Sequence, residues 1–328
     1  MDPFDGPVDR AAIVARIEKH PIDGEPEAMR AAFERLVLGD ARAPYDEPGG
    51  GTVTGSPVLA GADGLTVLPR VDPDDAGGAE RYAPDRIVLW FHGGGYVFGS
   101  PETHGRPAAR LATLTGTPVL LPRYPLAPEH RWPAQLDHAL AVAGRALAAP
   151  SPRTANGRPR VVLAGDSAGG HLALVTALEL ARRGTPPAGL LLFAPNTDRT
   201  GLSDTRERMT PLDPMNADED DRALARLCFG AMPDGHRHVS PLLDDLSLLP
   251  PLHIEVGDPE VLLDDGRLLH ERATAVGTDS TIHVAPGFLH MGQLWVPWWS
   301  EADASLARSA RRAAAWMDVG APNKPERL

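Results

Sequence analysis

The sequence predicts an α/β protein built on a mainly parallel sheet with helices on both faces. Two observations carry this. Short apolar runs of strand length, at Arg86–Phe91, Arg160–Ala164, Gly189–Ala194, Pro251–Gly257 and Ser280–Ala285, alternate with longer helix-patterned runs. The stretch Gly165-Asp-Ser-Ala-Gly-Gly170 joins the second of these strands directly to a helix-patterned run, which is the setting of a tight strand-to-helix turn. Four catalytic-type features also fall just past strand ends, where open α/β sheets place their sites: the glycines after Phe91, Ser167, the acids after Gly257, and His290.

From the N-terminus, residues 8–19 place Val8, Ile13 and Ile17 near one helical face, and 26–38 does the same with Met29, Phe33, Leu36 and Val37. Both helices precede any strand, so they are expected to be peripheral. Alternating apolar pieces between Val53 and Arg70 suggest antiparallel strands, ended by the turn-rich Asp72–Gly78. The first core strand, 86–91, runs into His92-Gly-Gly-Gly-Tyr96. Three glycines there let backbone N–H groups approach a ligand, as in a phosphate cradle or an oxyanion hole; no Gly-Lys-Ser/Thr follows, so the phosphate-loop signature fails. A strand at 118–121 and a helix at 133–147 lead to the Gly165 turn. In such a turn Ser167 is a nucleophile candidate, and the N–H of Ala168 at the helix start faces charge forming beside it.

The alternation breaks between Asn196 and Met232, an expected insertion over the sheet's C-terminal edge with a helix near 221–229; its acidic run Asp213–Asp221 is read as a solvated face. A strand at 251–257, a helix at 261–275, a strand at 280–285, the loop 286–292 and a helix at 301–317 complete the pattern. A serine nucleophile needs a base and an acid that orients it. His290 follows the last strand, and Asp258, Glu260, Asp264 and Asp265 follow the strand before it.

Bulk properties bound the function. A formal charge of −12 argues against nucleic acid or an anionic membrane as partner. The single cysteine, Cys228, leaves no internal disulfide and no cysteine cluster for a metal; it is read as a small apolar helix residue. The start Met1-Asp-Pro-Phe-Asp5 lacks the basic and apolar regions of a signal peptide, and no apolar run reaches membrane-span length, which predicts a soluble cytoplasmic protein.

Together, His92-Gly-Gly-Gly, Leu126-Ala-Pro-Glu-His130, Gly165-Asp-Ser-Ala-Gly169 and Glu260-Val-Leu-Leu-Asp-Asp-Gly266 resemble the hormone-sensitive-lipase family of α/β-hydrolases, in its bacterial carboxylesterase branch. The resemblance runs from about Gly51 to the last helix. It implies an α/β-hydrolase fold with a mainly parallel eight-stranded sheet and a helical cap, formed by residues 1–45 and by 196–232 inserted in a catalytic domain of 46–328. It implies a serine carboxylesterase for short-chain acyl esters or lactones, acting through an acyl-enzyme, with Ser167, Glu260 and His290 as triad and the N–H groups of Gly93, Gly94 and Ala168 as oxyanion hole. No cofactor or metal is implied. The resemblance also implies a small-molecule ester as partner and a homodimer through the last strand's edge.

Glu260 holds the place where the family usually has Asp, and Asp258, directly after Gly257, competes with it. Two further departures stand out: Arg123-Tyr-Pro125 replaces the usual Asp-Tyr-Arg, which suggests a rewired side-chain network, and His171 replaces a common Asn. Trp295, Trp298 and Trp299 are candidates for either a pocket wall or core packing. The same scaffold also serves lyases (dehydratases) and non-catalytic receptors, but the Ser167 and His290 pair favours hydrolysis.

Overall fold

The computed structural model describes residues 3–39, 52–54, 63–69, 85–151, 154 and 156–318. In chain order its elements are α1 (Arg10–Lys19), α2 (Pro26–Leu38), β1 (Thr52–Thr54), β2 (Gly64–Leu68), β3 (Arg86–Phe91), α3 (Gly105–Thr115), β4 (Val119–Pro122), α4 (Ala134–Ala148), β5 (Arg160–Asp166), α5 (Ala168–Arg182), β6 (Gly189–Phe193), α6 (Thr205–Met209), α7 (Asp218–Phe229), β7 (Leu252–Gly257), α8 (Leu263–Ala275), β8 (Ser280–Ala285) and α9 (Ser300–Asp318). The strands form one eight-stranded sheet in the order β1-β2-β4-β3-β5-β6-β7-β8, antiparallel at β1 and β2 and parallel from β4 onward.

β3, β5, β6 and β7 are buried on both sides almost throughout, which explains why they read as unbroken apolar runs rather than alternating ones. α3 and α9 pack together on one face of the sheet; α4, α5 and α8 cover the other. α3, not anticipated from the sequence, builds its buried side from Gly105, Pro107, Ala108, Ala109, Leu111 and Ala112, mostly small residues that still fill a helix-to-sheet interface. The turn expected at 72–78 lies outside the described residues.

The two N-terminal helices bury the expected faces: Ile13, Ile17, Phe33, Leu36 and Val37 are in the core. Asp9 caps α1 by accepting the Ala12 N–H at 2.9 Å. Arg30 fastens α2 to the loop after β3, donating to the Val97 carbonyl at 2.8 Å and to Ala127 O at 2.9 Å.

The acidic run in the insertion departs from expectation. Asp221 is buried, not solvated, and pairs with Arg199 and Arg206 at 2.5 and 2.8 Å. Arg206 also reaches Asp265 of α8 at 2.8 Å and the Asn196 side chain at 2.8 Å. Asp265 itself accepts the N–H groups of Thr197 and Asp198. Burial disfavours each charge, but the reciprocal ion pairs hold Arg206 protonated and Asp221 ionised. Charge count alone hid this network, because the arginines that neutralise the run lie upstream of it.

Candidate active site

The turn between β5 and α5 is backbone packed on backbone. A Cβ on Gly169 would lie 2.1 Å from the Phe91 carbonyl oxygen, and one on Gly165 2.3 Å from that of Gly169. Between them Ser167 is held at φ 52°, ψ −121°, a region costing about 1–3 kcal/mol for a residue with a side chain. Its N–H donates to Phe193 O at 2.9 Å, and its carbonyl accepts from Asn196 N at 3.2 Å and His171 N at 3.0 Å, so neighbouring backbone fixes this conformation.

His290, in the loop after β8, is 3% exposed, and its Nδ1 lies 2.8 Å from Glu260 Oε2. A carboxylate can only accept, so Nδ1 carries the proton and Nε2 is left with its lone pair. Glu260 is buried and its other oxygen accepts the Gly257 N–H. Burial opposes charge on the imidazole, yet the hydrogen bond and charge of Glu260, with Asp213 and Asp166 further off, outweigh it and raise the His290 pKa. Burial also lifts Glu260, and its bond to His290 offsets this only in part.

The competing acids are engaged elsewhere. Asp258 accepts the Gly287 N–H at 2.7 Å on an exposed loop; Asp264 accepts Thr205 N at 3.2 Å; Asp265 is in the Arg206 network. The Asp258 bond staples the two loops that carry Glu260 and His290.

Ser167 and His290 line one cavity of about 260 Å³ together with Gly94 and Gly95. Gly93 and Ala168, both expected to donate into this space, are not among its lining residues, and the Gly93 N–H is taken by Asp166 Oδ2 at 3.1 Å. Asp166, one residue before Ser167, also accepts from Trp90 Nε1 at 2.8 Å and lies 3.0 Å from His104 Nε2. Its carboxylate therefore spans the glycine loop and the serine turn. Among the described residues the Gly94 and Gly95 N–H groups meet no acceptor in the protein. Sequence reasoning missed Asp166 and His104, whose only signal was a carboxylate placed next to the serine in a buried strand, and it took Gly93 rather than Gly95 from the three-glycine run.

His92 is scaffolding. Its ring stacks on Tyr124 with centroids 4.2 Å apart, and the Tyr124 hydroxyl donates to its carbonyl at 2.7 Å; burial pushes its pKa down to about 3. Tyr124 is thus the network residue left in Arg123-Tyr-Pro125, while Arg123 turns to Glu102 and Asp63. His171 sits in an aromatic nest, its Nδ1 against the Tyr96 hydroxyl, and burial likewise pushes its pKa down to about 3. Cys228 is buried, and its thiol is pushed up to about 12 by burial. The tryptophans are packing residues: Trp295 and Trp298 meet Phe4 edge-on, and Trp299 stacks on Phe288.

Fold and site define a class: residues 88–294 match the model of a family described by the alpha/beta hydrolase fold, and the chain belongs to that family. Within it the chain is a carboxylic ester hydrolase of the hormone-sensitive-lipase type. It is 35% identical over 215 residues to an acetyl-hydrolase from Streptomyces hygroscopicus, covering 65% of this chain and 70% of that one. It is 31% identical over 237 residues to an esterase from Acinetobacter venetianus, covering 70% and 74%. The crystal structure of an esterase from the bacterial hormone-sensitive lipase family superposes with a TM-score of 0.81 at 27% identity, over 94% of this chain and 98% of that one. Among the described residues no helix is long and apolar enough to cross a membrane.

Proposed function

We propose that Ser167 attacks the carbonyl carbon of a short-chain acyl ester while His290 Nε2 takes its proton and Glu260 holds the imidazolium that results. The alcohol leaves with the proton from His290, an acyl-serine remains, and water activated by the same nitrogen releases the acid. The observation that carries this reading is the 2.8 Å His290–Glu260 bond at the wall of a cavity shared with a serine in a left-handed turn. The oxyanion is assigned to the N–H groups of Gly94, Gly95 and Ala168, replacing the expected Gly93, because a donor committed to Asp166 has nothing left to offer a substrate.

The proposed cap is α1–α2 with the inserted segment 196–232. Ile22 and Met29 from the first part and Met215, Leu224 and Leu227 from the second wall the cavity; the boundary at residue 45 lies outside the described residues. A small cavity with these apolar walls suits short acyl chains, in keeping with the name of the acetyl-hydrolase relative. Among the described residues β8 pairs on one side only, which leaves an edge for the proposed homodimer. The test is hydrolysis of p-nitrophenyl esters from acetate to dodecanoate, with a fluorophosphonate probe alongside. Wild-type protein is expected to label and to prefer acetate or butyrate, and Ser167→Ala to do neither; a Ser167→Ala variant at wild-type turnover overturns the reading.

A further inference from the structure

Asp213 lies in the inserted segment between α6 and α7 and is 8% exposed, although the acidic run around it reads as solvated. Its two oxygens serve different parts of the molecule. Oδ1 accepts the N–H groups of Met215 and Asn216 at 2.9 and 3.2 Å, an Asx-type turn that holds two residues lining the catalytic cavity. Oδ2 accepts the N–H of Val261 at 3.0 Å, and Val261 directly follows Glu260. Hydrogen bonds to an ionised acceptor are the strong kind.

We propose that Asp213 is a positioning residue for ester hydrolysis: its carboxylate ties the cavity wall at Met215 and Asn216 to the chain that carries Glu260, and its charge faces the His290–Glu260 pair. This rests on the roles proposed above for His290 and Glu260. The groups around the imidazole are the carboxyls of Glu260, Asp213 and Asp166, and the charge of each favours the protonated ring. Around Asp213 itself stand His290 and Glu260 on the catalytic side, and Glu18, His20, Asp23 and Asp220 across a crevice on the other. Burial lifts the Asp213 carboxyl, and the His290 imidazole, once protonated, pulls it part of the way back. Attack by Ser167 turns His290 into an imidazolium, so an anion fixed beside it helps the transition state more than the ground state.

Asp213→Asn separates the two functions. It keeps an oxygen for Met215 and Asn216, but sets an amide against the Val261 N–H and removes the charge. The expected result is kcat lower by about tenfold or more, a Michaelis constant within about twofold, and an acid limb of kcat/KM moved to lower pH by about half a unit. Asp213→Ala, which also frees the wall, is expected to raise the Michaelis constant as well. An Asn variant with wild-type kcat and an unmoved acid limb overturns the proposal. If the Asn protein is unfolded by circular dichroism, Asp213→Ser carries the same measurements; loss of fold in both makes Asp213 a folding residue only and also overturns it. Ser167→Ala assayed in parallel keeps the two readings apart: a live Ser167→Ala sinks the triad, whereas a dead one beside an unaffected Asp213→Asn sinks this proposal alone.

Discussion

At the scale of single residues, the proposal of Glu260 as the acid turns on one methylene. Glu260 starts three positions beyond Gly257 yet folds back far enough to give one oxygen to the Gly257 N–H and the other to His290. Glycine at 257 permits this, since a Cβ there would lie 2.0 Å from Phe288 O and 2.9 Å from Glu260 Oε1. Glu260→Gln is therefore expected to lower kcat by about three orders of magnitude or more, whereas Asp258→Asn, whose amide oxygen can still accept the Gly287 N–H on an exposed loop, should stay within about tenfold; matched steady-state assays decide. The pH profile follows from the same pair. The base must be neutral to act, and its pKa is raised, so kcat/KM should fall as pH drops through a midpoint above the ordinary imidazole value of about 6.5. A midpoint at or below that value would mean the carboxylate does not face the ring in solution. The sequence could nominate Glu260 only by its place in a motif; the bond that distinguishes it from Asp258 depends on how two loops from different strands meet.

At the scale of elements, the strands and the serine turn were legible because burial on both faces forces unbroken apolar residues. The insertion was legible only in part: the helix expected near 221–229 is α7, Asp218–Phe229, but the buried role of its acids was not. Its helices carry mixed faces, and α7 opens with four acids, Asp218 to Asp221, that look alike in sequence. Only the position of Arg199 and Arg206 makes Asp221 an interior residue. α3 was missed because, although Arg106 and Arg110 mark an outer face, the buried face is made largely of small residues around Leu111. The Arg206 hub fixes α6 and α7 on α8, so Arg206→Met should cost about 3–5 kcal/mol by leaving Asp221 and Asp265 short of a partner. Urea unfolding monitored by circular dichroism measures this, and a loss under 1 kcal/mol would show the hub relaxes around the substitution.

At the scale of the whole molecule, the sheet and the segments that wall the cavity are joined by polar fasteners that include, besides the Arg206 hub, Arg30 to Val97 and Ala127, Arg10 to Gly287, and Asp213 to Val261. Beneath them lies an apolar face made of Ile13, Ile17, Phe33, Leu36 and Val37. Removing residues 1–39 should raise the Michaelis constant about tenfold or more, by opening the cavity at Ile22 and Met29, and promote association of the bared face. Light scattering and steady-state kinetics on the truncated protein read both. Unchanged kinetics in a monodisperse product would make the two helices an appendage.

The close approach of α5 to β3 has a consequence for how this chain can vary. Gly169 sits against the Phe91 carbonyl and Gly165 against Gly169, while Gly93 is hemmed in by the Asp166 carboxylate, so even alanine at any of the three collides with groups that have nowhere to go. By contrast Gly184, Gly201 and Gly235 face open space. In a saturation library the first three positions would be silent rows, lost before activity is assayed, and glycines of the second kind would differ among themselves only by backbone torsion. Diversity in this scaffold is thereby steered away from the serine turn and toward the segments over the cavity, whose walls can be redrawn without touching the elbow.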